Sequence, residues 1–240
     1  MKKTKKILNW FFGGISLTYI LIIIFPQFIF ANKLEYKNFS VYYHSNEINT
    51  ENLKSVLEES QKLLMTTKLF ETEINQDVFI CNSYNEFSFF ALLSRKAFAV
   101  HYPITQNIFL SKSSISDNYI LRNGERNNKR TLSGVIAHET THSLLENKLG
   151  TLKYKLLPTW KVEGYCDFVA NESSLNEQKG FKDICIDKEN SNSLAFKYFK
   201  YRISTQYLFN ERKISMEEFL NNNFDLNEIN ENLKEKYCTQ

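Results

Sequence analysis

Hydrophobic and polar positions divide this chain into three regimes. Between Lys6 and Lys33 there is no charged residue, and the run holds Trp10-Phe11-Phe12, then Leu17 through Phe30, with Leu21-Ile22-Ile23-Ile24-Phe25 inside it. A run of that length spans a bilayer as a helix. Beyond Lys33 the runs shorten. Asn38 to His44 alternates and reads as a strand, as do Asp77–Cys81, Ala97–Val100 and Asn107–Leu110, the last two flanking a turn at Tyr102-Pro103. Asn49-Thr50 caps a helix running to about Phe70, with Leu53, Val56, Leu57, Leu63 and Leu64 on its apolar side. A Phe-rich helix is expected from Tyr84 to Leu93. The polar stretch from Asn118 to Arg130 reads as a mobile loop. After Arg130 the period becomes helical. Thr131 or Ser133 caps a helix ending near Gly150, and a second starts at Pro158-Thr159 and reaches about Asn171. Ser193–Asn210, Ser215–Leu220 and a piece from Leu226 complete a helical C-terminal part. Strands first and helices later predict an α+β domain.

Length and charge refine this picture. The 240 residues fit an anchor (1–33) plus one domain (34–240), divided into an α/β part (34–130) and a helical part (131–240). Lys2, Lys3, Lys5 and Lys6 precede the apolar run, so the positive-inside rule expects a single-pass membrane protein with its domain outside the cytoplasm. A signal peptide cleaved after Ala31 gives the same placement, although Ile29 is bulky where a small residue is preferred. The net charge is only +3, and four lysines sit at the N-terminus, so nucleic-acid binding has no electrostatic basis. Cys81, Cys166, Cys185 and Cys238 allow three disulfide connectivities and lack zinc-knuckle spacing.

The chemistry concentrates in His138-Glu139-Thr140-Thr141-His142. Positions i and i+4 of a helix share a face, so both imidazoles reach one ion, expected to be a single Zn²⁺. Glu139 is rotated roughly 100° from His138, where it faces metal-activated water. Val135, His138, His142, Leu145 and Leu149 follow 3-4 spacing, which predicts burial of both histidines on one stripe. Burying two imidazoles without a shared partner penalises each of them, and a cation removes that penalty. A catalytic site needs a third ligand and an open position. His44 and His101 lie far upstream, and Leu145 and Lys148 occupy the Gly and His positions of the extended HExxHxxGxxH pattern. On the next helix Trp160, Glu163, Asp167 and Ala170 share a face. Two carboxylates one turn apart repel when buried without a cation. Glu163 therefore reads as the third ligand, Asp167 as the acceptor for the second N–H of a ligand histidine, and Gly164 as a point of close helix approach.

HExxH followed by Trp160-x-x-Glu163-Gly164 resembles the gluzincins, the thermolysin-like or peptidase MA-like metallopeptidases. The resemblance covers Ser133 to Val169. It implies a zincin-like catalytic domain in which a small mixed sheet precedes the helices carrying HExxH and the downstream Glu. It further implies zinc held by His138, His142 and Glu163, Glu139 as general base, and Asp167 behind a histidine. Asn107, Ile108 and Phe109 fall where the family's edge strand pairs with extended substrate. Tyr198 falls on the helix that presents a tyrosine to the oxyanion, with Tyr201 and Arg202 behind it. The Gly-x-Met-x-Asn signature of the aminopeptidase branch and a thermolysin-like calcium cluster are absent. The expectation is a membrane-anchored zinc peptidase acting on peptides or proteins. The alternative is an inactive zinc-bound scaffold that binds peptides or envelope proteins. An intramembrane protease is excluded, because Arg126, Lys129, Arg130, Glu146 and Lys148 flank or enter the motif helix.

Overall fold

Side-chain caps set most of the helix starts. In the computed structural model, which describes residues 2–44, 48–71, 74–125, 128–186 and 193–238, with the side chains of 2–8 and 71 left aside, α1 spans Lys2–Ile24 and is followed by strands β1 (Asn32–Tyr36) and β2 (Phe39–Tyr43). Asn49 then caps α2 (Thr50–Leu64) by accepting from the Glu51 and Asn52 amides. Strand β3 (Gln76–Ile80) leads to α3 (Tyr84–Ala91), capped by Ser83, and then to β4 (Ala99–His101) and β5 (Ile108–Leu110). Short strands β6 (Ser113–Ser114), β7 (Tyr119–Leu121) and β8 (Lys129–Thr131) precede α4 (Leu132–Leu149), where Thr131 is the cap and Gly150, at φ 76°, the terminator. Six helices complete the chain: α5 (Thr151–Leu156), α6 (Thr159–Val169), α7 (Glu177–Cys185), α8 (Leu194–Asn210), α9 (Met216–Asn221) and α10 (Leu226–Cys238). Ser215 and Glu218 form a capping box on α9.

The main sheet has the order β1-β2-β3-β5-β4. β2, β3 and β5 run parallel, and β1 and β4 are antiparallel edges. Parallel neighbours need a crossover, and α2 and α3 supply the two that this sheet contains. Helices are therefore interleaved with strands in a mixed α/β fold with ten α-helices among the described residues, correcting the strands-first arrangement expected from the pattern. Alternation along β3 and β5 feeds two cores. Val78, Ile80, Ile108 and Leu110 join the larger core, with α2, α4, α6 and α8. Phe79 and Phe109 face the other way and stack at 5.0 Å in a Phe-rich core with Phe30, Phe87 and Phe90.

The expected membrane anchor is overturned. Among the described residues no helix is long and apolar enough to cross a membrane, and the single-pass anchoring built on that run falls with it. The apolar run is divided. α1 stops at Ile24, Pro26 starts a 3-10 turn, and Phe30 enters the Phe-rich core. Ile22 and Ile23 pack on that core, and the Tyr19 hydroxyl donates to Phe89 O at 2.6 Å. Part of the run is thus apolar because it covers the back of the sheet.

The stretch from Asn118 to Arg130 is also different from its reading. It forms β7 and β8 of an antiparallel three-stranded sheet with β6, apart from Arg126 and Asn127, which lie outside the described residues. Cys185 and Cys238 form a disulfide joining α7 to α10, while Cys81 and Cys166 are free and buried.

Candidate metal centre

The helix carrying the histidines is buried on every side. All residues from Leu132 to Glu146 are buried, not the single stripe that the spacing predicted. α4 lies against α2, α6 and β4. His138 and His142 therefore sit in the interior, with their Nε2 atoms 3.2 Å apart. Glu163 on α6 approaches both, with Oε2 3.5 Å from His138 Nε2 and Oε1 3.9 Å from His142 Nε2. The Glu163 side chain remains 21% exposed and opens onto a cleft of ≈ 890 Å³ that Glu139 and Tyr198 also line.

A tetrahedral ion with N and O ligands at about 2.0–2.2 Å sets ligand–ligand edges of roughly 3.3–3.6 Å. The His138–His142 and His138–Glu163 separations lie near that range, while the approach of Glu163 to His142, through its other carboxylate oxygen, is longer. Cys166 adds a fourth candidate. His138, His142 and Cys166 form a buried group whose ligand atoms lie within 4.8 Å of one another and that could hold a metal ion. The Cys166 thiol, however, sits 3.4 Å from His142 Nδ1, the nitrogen that also meets the Tyr154 hydroxyl at 2.9 Å.

A chain of buried charges lies behind the pair. His138 Nδ1 is 2.8 Å from Asp167 Oδ1, and Arg130 Nη1 is 3.0 Å from the same oxygen. Arg130 also donates from Nε to Glu172 at 3.0 Å. Burial by itself would lower the His138 pKa, but Asp167 holds it up to about 10. Burial pushes His142 down to about 4. It raises Glu139 to about 7, and the nearby charges of His138 and Arg130 offset only part of that rise. Burial would raise Glu163 and Asp167, yet both lie below the usual carboxylate values, held there chiefly by His138 for Glu163 and by Arg130 for Asp167. Tyr198, half-buried on α8, is pushed up to about 12 by burial and by the charges of Glu163 and Asp167.

Two sequence readings are corrected here. Asn107, Ile108 and Phe109 do not form an edge. β5 lies between β3 and β4, and all three residues are buried. The uninterrupted Ile-Phe-Leu run is what a strand covered on both faces requires, and that signal pointed inward. Asn107 instead donates towards the carbonyls of Ile23 and Ile24 at 3.4 and 3.5 Å, capping the end of α1. The edge strand on this side is β4, whose Ala99, Val100 and His101, buried or half-buried, line the cleft. Gly164 serves α8 and not α4: a Cβ there would lie 2.6 Å from Thr205 Oγ1 and from the Tyr201 carbonyl oxygen. Sequence reasoning missed Arg130, Tyr154 and Cys166. Their approach depends on the β7–β8 hairpin, on the short helix α5, and on which side of α6 faces α4. No protein-family model and no curated protein matches the chain.

Proposed function

We propose that this chain is a zinc-dependent peptidase of the gluzincin kind, hydrolysing peptide bonds with His138, His142 and Glu163 as metal ligands and Glu139 as general base. The observation that carries the reading is the convergence of two imidazole Nε2 atoms and one carboxylate, at edges of 3.2 to 3.9 Å, on the wall of a cleft that also holds Glu139. Glu163 is preferred to Cys166 as third ligand because it faces the two Nε2 atoms.

Zinc, when bound, supplies Lewis-acid polarisation of a carbonyl and of water. Glu139 accepts the proton as water attacks the scissile carbonyl and delivers it to the leaving amine. Asp167 accepts from His138 Nδ1–H and keeps Nε2 free for the ion, while the Tyr154 oxygen accepts from His142 Nδ1–H to the same end. Tyr198 lines the cleft as a hydroxyl donor towards a developing oxyanion. An edge strand lining the cleft beside the site suits an extended peptide.

The test pairs metal analysis with digestion of a broad peptide library, with and without chelator. Wild-type protein should hold one zinc per chain and cleave only in the metal-loaded state. Glu139→Gln should keep the zinc and lose at least a hundredfold in rate, the scale of a general base. Full activity in Glu139→Gln, or peptides bound by zinc-loaded wild type and left uncut, would refute the assignment.

A further inference from the structure

The cleft is electrostatically lopsided. Among the described residues Glu139 and Glu163 are the only acidic residues lining it, and both belong to the metal end. The cleft is also lined by Arg95, Lys96 and Arg122. Arg130 also lines the cleft, but its guanidinium is engaged by Asp167 and Glu172. None of Arg95, Lys96 and Arg122 forms an ion pair among the described residues, and Arg95 and Lys96 are exposed.

The fold brings these three residues to the entry of β4. Arg95 and Lys96 lie just before β4, and Arg122 just after β7. Arg122 Nε donates to the Lys96 carbonyl at 2.5 Å, so the small sheet is tied to the entry of β4. The strand has a direction relative to the site. His101, at one end, stacks on the ligand His142 at 6.0 Å, while Phe98, before the other end, lies under the Arg130 guanidinium at 5.9 Å. The cationic wall therefore begins beyond the end of β4 remote from His142. Leu92 and Leu93 form an exposed apolar rim beside it.

We infer that the wall of Arg95, Lys96 and Arg122 is a subsite for a carboxylate of the bound peptide, contributed by an acidic side chain or by the peptide's own C-terminus. This deepens the peptidase reading of the same cleft and rests on it. A short, like-signed cluster with no ion-pair partner among the described residues raises the local concentration of anions and selects against cationic peptides. Exposed pairs contribute about 1.5- to fivefold each, so two or three acting together give about tenfold at low ionic strength, and salt screens the preference.

The experiment uses zinc-loaded, full-length Glu139→Gln protein, which reads binding separately from hydrolysis. Three fluorescent peptides of one otherwise apolar sequence are compared by anisotropy at low salt. One has an internal Glu and an amidated C-terminus, one has Gln and a free C-terminus, and one has Gln and an amide. The expected result is about tenfold tighter binding of one carboxylate peptide over the uncharged one, which assigns the subsite to side chain or terminus. Arg95→Gln/Lys96→Gln should erase most of that difference while metal content stays at one ion per chain. Equal binding of all three peptides, no binding of any, or a preference for a Lys-containing counterpart overturns the inference. Hydrolysis by wild-type protein is scored independently. Selective binding without metal-dependent cleavage would sink the peptidase reading and leave the carboxylate subsite standing.

Discussion

Asp167 holds together both the stability of the interior and the geometry of the proposed ligand His138. Its side chain is 1% exposed, and that of Arg130 is 7% exposed. Removing one partner of a buried pair strands the other charge and costs about 3–5 kcal/mol. Arg130 keeps Glu172, through Nε to the carboxylate at 3.0 Å and Nη2 to the carbonyl at 3.3 Å, which places Asp167→Ala at the lower end, about 3 kcal/mol. For a domain of this size each kcal/mol moves Tm by roughly 2–4 °C, so the metal-free variant should melt roughly 6–12 °C lower. The metal measurement separates a second contribution. Losing the acceptor on a ligand histidine weakens metal binding by about 10–100-fold. Asp167→Asn keeps a carbonyl to accept from His138 Nδ1–H but removes the charge that faces Arg130. It should therefore melt nearly as low as the Ala variant while binding metal better than it does. Differential scanning fluorimetry of metal-free protein and zinc competition against a chromophoric chelator read the two effects. If both variants melt within a degree of wild type and bind zinc within twofold, the buried chain Arg130–Asp167–His138 contributes nothing and the reasoning fails.

The remaining predictions concern the ion and the C-terminal region. Glu163→Ala should weaken zinc binding by more than a hundredfold, whereas Cys166→Ser should change it by less than tenfold; the reverse ranking in the same competition assay would move the third ligand to Cys166. In the metal-free chain Asp167 holds His138 protonated up to about 10, while His142, pushed down to about 4, is already neutral. Coordination requires neutral imidazole, so zinc binding at pH 7.5 should release about one proton from His138, and apparent affinity should rise about tenfold per pH unit between pH 7 and 9. Calorimetry in buffers of different ionisation heat checks this, and a release of zero contradicts it. The Cys185–Cys238 bridge closes a loop with a sequence separation of 53, worth about 4 kcal/mol in the chain-entropy account. Cys185→Ser should thus lower Tm without changing zinc content, and an unchanged melt under reducing and oxidising conditions argues against the bridge.

Local chemistry made much of this protein legible before folding. The HExxH pair lies within one turn of one helix, so the helical period alone brings two imidazoles together, and the Nε2 separation of 3.2 Å follows. Glu163 and Asp167 were legible for the same reason, being one turn apart on α6 with complementary needs. Helix starts at Asn49, Thr131, Ser193 and Ser215 were readable because a cap is a bond between near neighbours in sequence. What followed from long-range packing was not. An apolar run near the N-terminus has the same composition whether it meets lipid or the back of a sheet, and only Phe30, Ile22 and Ile23 against Phe79 and Phe109 decided the matter. Edge and interior strands differ by which neighbours they find, so β4 and β5 exchanged roles. Arg130 reached Asp167 because the β7–β8 hairpin ends at the start of α4, and Tyr154 reached His142 because α5 turns back after Gly150. The sequence by itself determined that His138 and His142 could share a cation, since ligand type and helical spacing are local properties. The tertiary structure decided which face of the sheet the apolar N-terminal run covers, which strand lines the cleft and which charges surround the site, because those depend on contacts between segments that no local period encodes.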